Sequence, residues 1–208
     1  MKKITIVVGS LIAVTTASII ACNSSTAPSS KQEGIAVVKG IAATEEMTKE
    51  QQIEKGRYLV TLMGCNDCHT PKKMGPRGPE LDSTKMLSGH PAKMPLGTYD
   101  AKTASQWILF NPNLTAFVGP WGTTFSANLT SDESGIGNWT EAQFLKSLRE
   151  GKMKGLDNNR PMLPPMPWQM IGKATDEDLK AVFAYLKSTP PVANVVPAPI
   201  PPAGAPKM

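Results

Sequence analysis

Residues 64–70 read GCNDCHT, which puts Cys65, Cys68 and His69 in a C-x-x-C-H pattern. The chain of 208 residues has one other cysteine, Cys22, and one other histidine, His90. Two thiols and an imidazole in five positions could serve a zinc ion, a redox disulfide or a thioether-bound haem. A structural zinc needs four ligands. Adjacent Cys68 and His69 rarely aim at one small ion, and the sequence has no second ligand pair with its own spacing. A thiol–disulfide exchanger usually carries its C-x-x-C at the start of a helix that follows a strand. Here the residues before the pair read as a helix instead. Covalent haem accounts for all five positions. The two thiols add to the two vinyl groups of the porphyrin, and His69 is then held under the iron as the proximal ligand. C-x-x-C-H is the signature of that attachment.

Three helices are expected to position this motif. The first starts near Thr48, which forms a capping box with Gln51. Ile53, Gly56, Val60 and Met63 fall on one stripe leading into Cys65. The second starts at Thr140 with Gln143 in the box position, turns Phe144 and Leu148 inward, and stops at Gly151. The third starts at Thr175, and Asp176, Glu177 and Asp178 suit a positive helix N-terminus. Its Leu179, Val182, Phe183 and Leu186 repeat at helical spacing until Pro190 bars extension. Between Pro71 and Asn138, Gly, Pro, Asn and Thr recur and no run alternates long enough to be read as a strand. Within it TASQWILF, residues 103–110, fits a short helix or a buried strand. The resulting expectation is a largely α domain whose long loops need something else to organise them.

The N-terminus indicates the compartment. Lys2 and Lys3 precede the apolar run ITIVVGSLIAVTTASIIAC, the pattern of a secretory signal. The run is also about as long as a minimal membrane span. Its ending, Ile19-Ile20-Ala21-Cys22, resembles a bacterial lipobox, which implies an acylated Cys22 and removal of residues 1–21. An ordinary signal peptide or uncleaved anchor with an incidental cysteine is the competing reading, and it too exports the folded part. Asn23 after the cysteine leans towards the outer membrane. Loss of Lys2 and Lys3 takes two of 22 basic residues against 17 acidic ones and lowers the formal charge from +5 to +3. That is too mild to argue for nucleic acid. Residues 22–44, rich in Ser, Ala, Thr and Gly, read as a flexible tether with a reach of roughly 25–30 Å. Residues 45–189 form the expected domain. Residues 190–208 hold seven prolines and should lie extended.

At this point the chain resembles the class I cytochrome c family over most of residues 50–190. GIGNWTEAQFLKSLREGK, RPMLPPMPW and TDEDLKAVFAYLKSTPPV are similar to the closing half of cytochrome c domains from dehydrogenase subunits, and LSGHP at 87–91 is similar to a segment of the same proteins. The resemblance implies an all-α class I cytochrome c fold: a small helical domain wrapped around one covalent haem c, with long irregular loops. It also implies a methionine on the far face of the iron. Met162, Met166 and Met170 compete, and Met166 in PPMPW is favoured because its flanking prolines stiffen the loop. Histidine plus methionine raises the reduction potential and fills both axial positions. The expected role is then one-electron transfer between redox partner proteins, without enzymatic activity or a small-molecule substrate. A lipid-tethered carrier, a fixed haem subunit of a dehydrogenase complex, and a haem sensor or peroxidase with an open iron are the readings to separate. Gly56 and the Phe183/Tyr185 region are expected at a helix crossing. Trp139 and Trp168 would shield the haem or simply pack, Arg160 would pair a propionate or face solvent, and Lys72, Lys73 and Arg77 would form a docking rim or stay solvated. His90 is expected at the surface.

Overall fold

The computed structural model describes residues 47–202. The expected signal peptide 1–21, the lipid-attachment residue Cys22 and the tether 22–44 lie outside the described residues. In chain order the elements are α1 (Lys49–Leu62), α2 (Cys65–His69), β1 (Lys72–Gly75), β2 (Gly78–Leu81), α3 (Ala101–Ala104), β3 (Leu109–Phe110), β4 (Ala116–Gly119), β5 (Gly122–Phe125), α4 (Glu141–Glu150), α5 (Trp168–Ile171) and α6 (Asp176–Ser188).

The three long helices begin where local chemistry placed them. Thr48 and Gln51 exchange side-chain and backbone bonds of 3.3 and 2.8 Å, and Thr140 and Gln143 repeat the box at 3.2 and 2.9 Å. The Thr175 hydroxyl accepts from the Asp178 N–H at 3.1 Å. Each box satisfies N–H groups that the first helical turn leaves without partners. Val60 of α1, Phe144 and Leu148 of α4, and Leu179, Val182 and Leu186 of α6 form one buried core. Leu87 and Ile136 complete it from the loops.

Helices α1 and α6 cross at Gly56. A methyl group there would lie 1.9 Å from the Ala181 carbonyl oxygen and 2.7 Å from the Tyr185 Cβ. The absent side chain is therefore what lets the two backbones touch. Lys55 reaches Asp178 across the same junction at 2.7 Å.

The expected all-α class does not hold. The fold is mixed, with an antiparallel pair β1–β2 and a three-stranded antiparallel sheet ordered β3-β4-β5. Both tight hairpins turn on the same tetrapeptide, Gly-Pro-Xaa-Gly. It is GPRG at 75–78 and GPWG at 119–122, with Gly75 facing Gly78 and Gly119 facing Gly122. Proline presets its own φ, and the closing glycines take φ values of 115° and 97° that other residues avoid. Strands of two to four residues are too short to show alternation, so periodicity missed them. TASQWILF divides between α3 and β3. It supplies no buried strand, because β3 is only Leu109–Phe110 and Phe110 is 53% exposed.

Two side-chain amides, one buried and one partly buried, organise the long loops. Asn128 donates to Ser134 Oγ and to the Val192 carbonyl at 3.1 and 2.8 Å, and accepts from the Thr130 N–H and hydroxyl. Asn194 donates to the Ser88 and His90 carbonyls at 2.7 and 2.9 Å and accepts from the Ala92 N–H. Within the described part of the proline-rich tail, Ile200 exchanges two backbone bonds with Thr123 of β5, at 2.7 and 2.9 Å.

Gly56→Ala gains about 1 kcal/mol of helix propensity but forces a carbon into a backbone oxygen, an overpacking cost of roughly 3 kcal/mol. The steric term wins. Thermal unfolding followed by circular dichroism should show Tm lowered by roughly 4–8 °C, with Lys55→Ala changing it by less than half as much.

Candidate functional site

The motif occupies α2, a single short helix entered through Gly64. His69 is 8% exposed, and its Nδ1 lies 2.8 Å from the Ala127 carbonyl oxygen. A carbonyl only accepts, so Nδ1 carries the proton and Nε2 keeps a free lone pair. Burial holds the imidazole below its usual pKa, and the Ala127 carbonyl pulls the other way. The ring is therefore neutral at neutral pH, the form that binds iron.

No disulfide joins Cys65 to Cys68. Burial pushes the Cys65 thiol up to about 11. Burial also raises Cys68, against an opposing pull from Lys72. Exchange cysteines work the other way, through thiolates stabilised near neutral pH, and here the pair follows helix α1 rather than a strand, so both observations disfavour the redox-disulfide reading. Among the described residues no three His, Cys, Asp or Glu side chains form a metal-sized cluster, and the zinc clamp has no geometry.

Cys65, Cys68 and His69 open onto a cavity of about 660 Å³, within the roughly 300–1,000 Å³ of cofactor clefts. Phe117, Phe125, Ile136, Trp139 and Leu186 supply apolar wall, and Arg160 lines it as a half-buried cation. Met162 and Met166 face the same space. Two thiols and a neutral imidazole from one element, thioethers from another, and a largely apolar slot that also carries Lys154 and Arg160 match what a covalently held iron porphyrin requires.

Met170 is 69% exposed and is not part of the cavity wall. The methionine loop is poor in its own donors, since Pro161, Pro164, Pro165 and Pro167 have no N–H. It is held instead by Met162 N–H to the Gly151 carbonyl at 2.6 Å, by Trp168 N–H to the Met166 carbonyl at 2.9 Å, and by Thr124 Oγ1 to the Pro164 carbonyl at 2.8 Å.

The remaining expected residues divide. Trp139 lines the cavity, whereas Trp168 packs over Gly151. Lys72 folds back onto the Asp67 and Thr70 carbonyls and is only partly exposed. Lys73 sits 3.7 Å from Glu80, which leaves Arg77 as the one open cation of the expected rim. His90 is fully buried rather than at the surface. Its Nδ1 meets Thr115 Oγ1 at 2.9 Å, its ring packs 4.8 Å from Phe125, and it is not part of the cavity wall. Sequence reasoning missed Thr124–Ala127 and the tail residues Val195–Pro199, which also wall the cavity. The GPWG turn could have announced the hairpin that carries the former. Nothing in the sequence announced the tail.

Comparison with known proteins fits this cavity. The Cytochrome c family model matches residues 53–190. The chain belongs to the cytochrome c family. Membership brings covalent haem c with its iron, and electron transfer as the general role. The cytochrome is 39% identical over 80 residues to a subunit of nicotinate dehydrogenase from Pseudomonas putida, covering 38% of this chain and 6% of that protein. It is 29% identical over 162 residues to the cytochrome c subunit of the quinone alcohol dehydrogenase of Gluconobacter oxydans, covering 77% of this chain and 26% of that one. Identity to the fructose dehydrogenase cytochrome subunit of Gluconobacter japonicus is 28% over 135 residues, covering 64% and 20%. The cytochrome thus spans about a quarter or less of the length of these relatives. Among the described residues no helix is long and apolar enough to cross a membrane.

Because Met170 and His90 are outside the cavity wall, Met170→Ala and His90→Gln should both keep the ferric visible spectrum of the parent cytochrome. His90→Gln should lose about 1–3 kcal/mol of stability for its broken buried contacts, read by thermal melting.

Proposed function

We propose that this cytochrome carries one haem and passes single electrons, with Cys65 and Cys68 as the thioether positions, His69 as the proximal iron ligand and Met166 as the distal one. The convergence of all four side chains on one cavity carries the reading. A porphyrin held there supplies a reversible one-electron couple at iron. The chain's own part is to keep that couple undisturbed. The Ala127 carbonyl holds His69 in the ligating tautomer, and the donor-poor proline loop keeps Met166 from wandering. Apolar side chains exclude water, which limits reorganisation when charge changes. With both axial positions filled, the cytochrome has no reaction of its own and acts through protein partners. The single C-x-x-C-H motif in the sequence supports a count of one haem.

The domain proposed to do this is residues 45–189. It follows a signal peptide at 1–21 and a tether at 22–44 that is lipid-anchored through Cys22 on the periplasmic side of a bacterial membrane, with the outer membrane favoured. Residues 190–208 are a proline-rich tail. The anchor reading rests on the lipobox-like Ile19-Ile20-Ala21-Cys22.

A second reading is a fixed haem subunit of a dehydrogenase complex. Its relatives among dehydrogenase cytochrome subunits favour it, and so does one surface feature. From Thr103 to Ser131 there is no charged side chain, and within that run Trp107, Ile108 and Phe110 are 67%, 48% and 53% exposed. Such a face suits a protein partner.

Mass spectrometry of the exported cytochrome is expected to find one porphyrin and acylation at Cys22, with residues 1–21 removed. Met166→Ala should keep the covalent haem but lose the weak band at the red end of the ferric spectrum, whereas Met162→Leu should retain it. A Met166→Ala spectrum with the band intact refutes the assigned distal ligand. Gentle purification from native membranes separates the two roles. A carrier elutes alone, and a fixed subunit brings a dehydrogenase with it.

A further inference from the structure

The hairpin β4–β5 reaches both axial residues through one four-residue segment. At its far end the Ala127 carbonyl accepts from His69 Nδ1 at 2.8 Å. At its near end Thr124 Oγ1 donates to the Pro164 carbonyl at 2.8 Å, two residues before Met166. Thr124 is 6% exposed and lines the cavity. We propose that Thr124 is a positioning residue for the distal methionine, and that the segment Thr124–Ala127 acts as a splint fixing the two axial side chains relative to one another. The proposal rests on Met166 being the distal ligand.

Three observations carry it. First, the loop from Pro161 to Pro167 holds four prolines, so its conformation depends on donors supplied from outside. Thr124 is the donor that meets it at the bend before Met166. Second, Thr124 stands on a fixed platform. Its strand partner is Phe117, and Thr123 beside it is pinned by two backbone bonds to Ile200 of the tail. Beyond it, Ser126 N–H donates to the Thr115 carbonyl at 2.9 Å, and the Ser126 carbonyl accepts from His90 N–H at 2.9 Å. Third, a β-branched residue in a strand has few side-chain rotamers, so the hydroxyl keeps one direction. The tail contributes indirectly, since Ile200 secures the strand that carries Thr124.

The test uses the mature haem-loaded cytochrome. Thr124→Val keeps the shape and removes the donor, while Thr124→Ser keeps the donor. The readouts are the red-end ferric band, the midpoint potential by redox titration, and the affinity of the ferric protein for imidazole, which competes with the thioether. Thr124→Val should weaken the band, lower the potential and bind imidazole about tenfold more tightly, the effect expected when one buried hydrogen bond is lost. Thr124→Ser should match the parent within about twofold in imidazole affinity, with band and potential unchanged. Parent-like values for Thr124→Val in all three readouts overturn the proposal. If Thr124→Val fails to mature, Thr124→Ala against Thr124→Ser gives the same decision: a difference supports the donor's role, and equality refutes it. Met166→Ala is run alongside. If it retains the band, the ligand assignment falls and this proposal falls with it. If it loses the band while Thr124→Val stays parent-like, only the role of Thr124 is lost.

Discussion

The hydrogen bond from His69 Nδ1 to the Ala127 carbonyl is the contact on which the arrangement of the cavity depends. It fixes the tautomer, so the free nitrogen is the one available to iron. It also ties the short motif helix to a segment 58 residues later. Thr70 reinforces the tie, since its hydroxyl donates to Asn66 Oδ1 and accepts from the Leu87 N–H. Gly89 N–H donates to the His69 carbonyl. The motif is thus clamped by the 87–90 segment on one side and by the exit of β5 on the other. Its direction is set by backbone partners rather than by exposed charge.

An apolar cavity walled by loops poses a problem that helices avoid. Loop backbone groups facing away from water need partners, and each one left bare costs about 1–3 kcal/mol. Here the side-chain amides of Asn128 and Asn194 supply those partners, joining the 88–92, 128–134 and 192–194 segments into one bonded layer. The loops were expected to need an organiser, with the haem in mind. Part of that work is done by these two amides, which are buried or partly buried and bonded at nearly every polar atom. The tail belongs to the same layer. Residues Val195–Pro199 form cavity wall and Ile200 extends the sheet, so this stretch acts as scaffold for the domain.

Electron transfer through such a cavity asks for a cofactor environment that changes little when charge is added or removed. Stiffness comes from two sources here. The helical half is stiff through close packing at Gly56 and the core around Leu179 and Val182. The loop half is stiff through prolines and side-chain donors. At the surface Lys72 and Lys73 are engaged locally, whereas Arg77, Trp107 and Phe110 stay exposed.

The sequence alone determined what local chemistry determines. Capping boxes at Thr48 and Thr140, the cap at Thr175, and the i, i+3, i+4 apolar rows set the three long helices, because those signals act within one or two turns. The C-x-x-C-H motif set the chemistry, because two thiols and an imidazole at that spacing suit few ligands. The hairpins were half legible. Their Gly-Pro-Xaa-Gly turns are plain in the sequence, but strands of four residues carry no period, and the all-α expectation failed there. Only the tertiary structure decided which of three methionines face the cavity, that His90 is buried behind it, and that Thr124, Ala127 and the tail belong to the site. Those placements depend on contacts between segments tens of residues apart, and no local pattern encodes them.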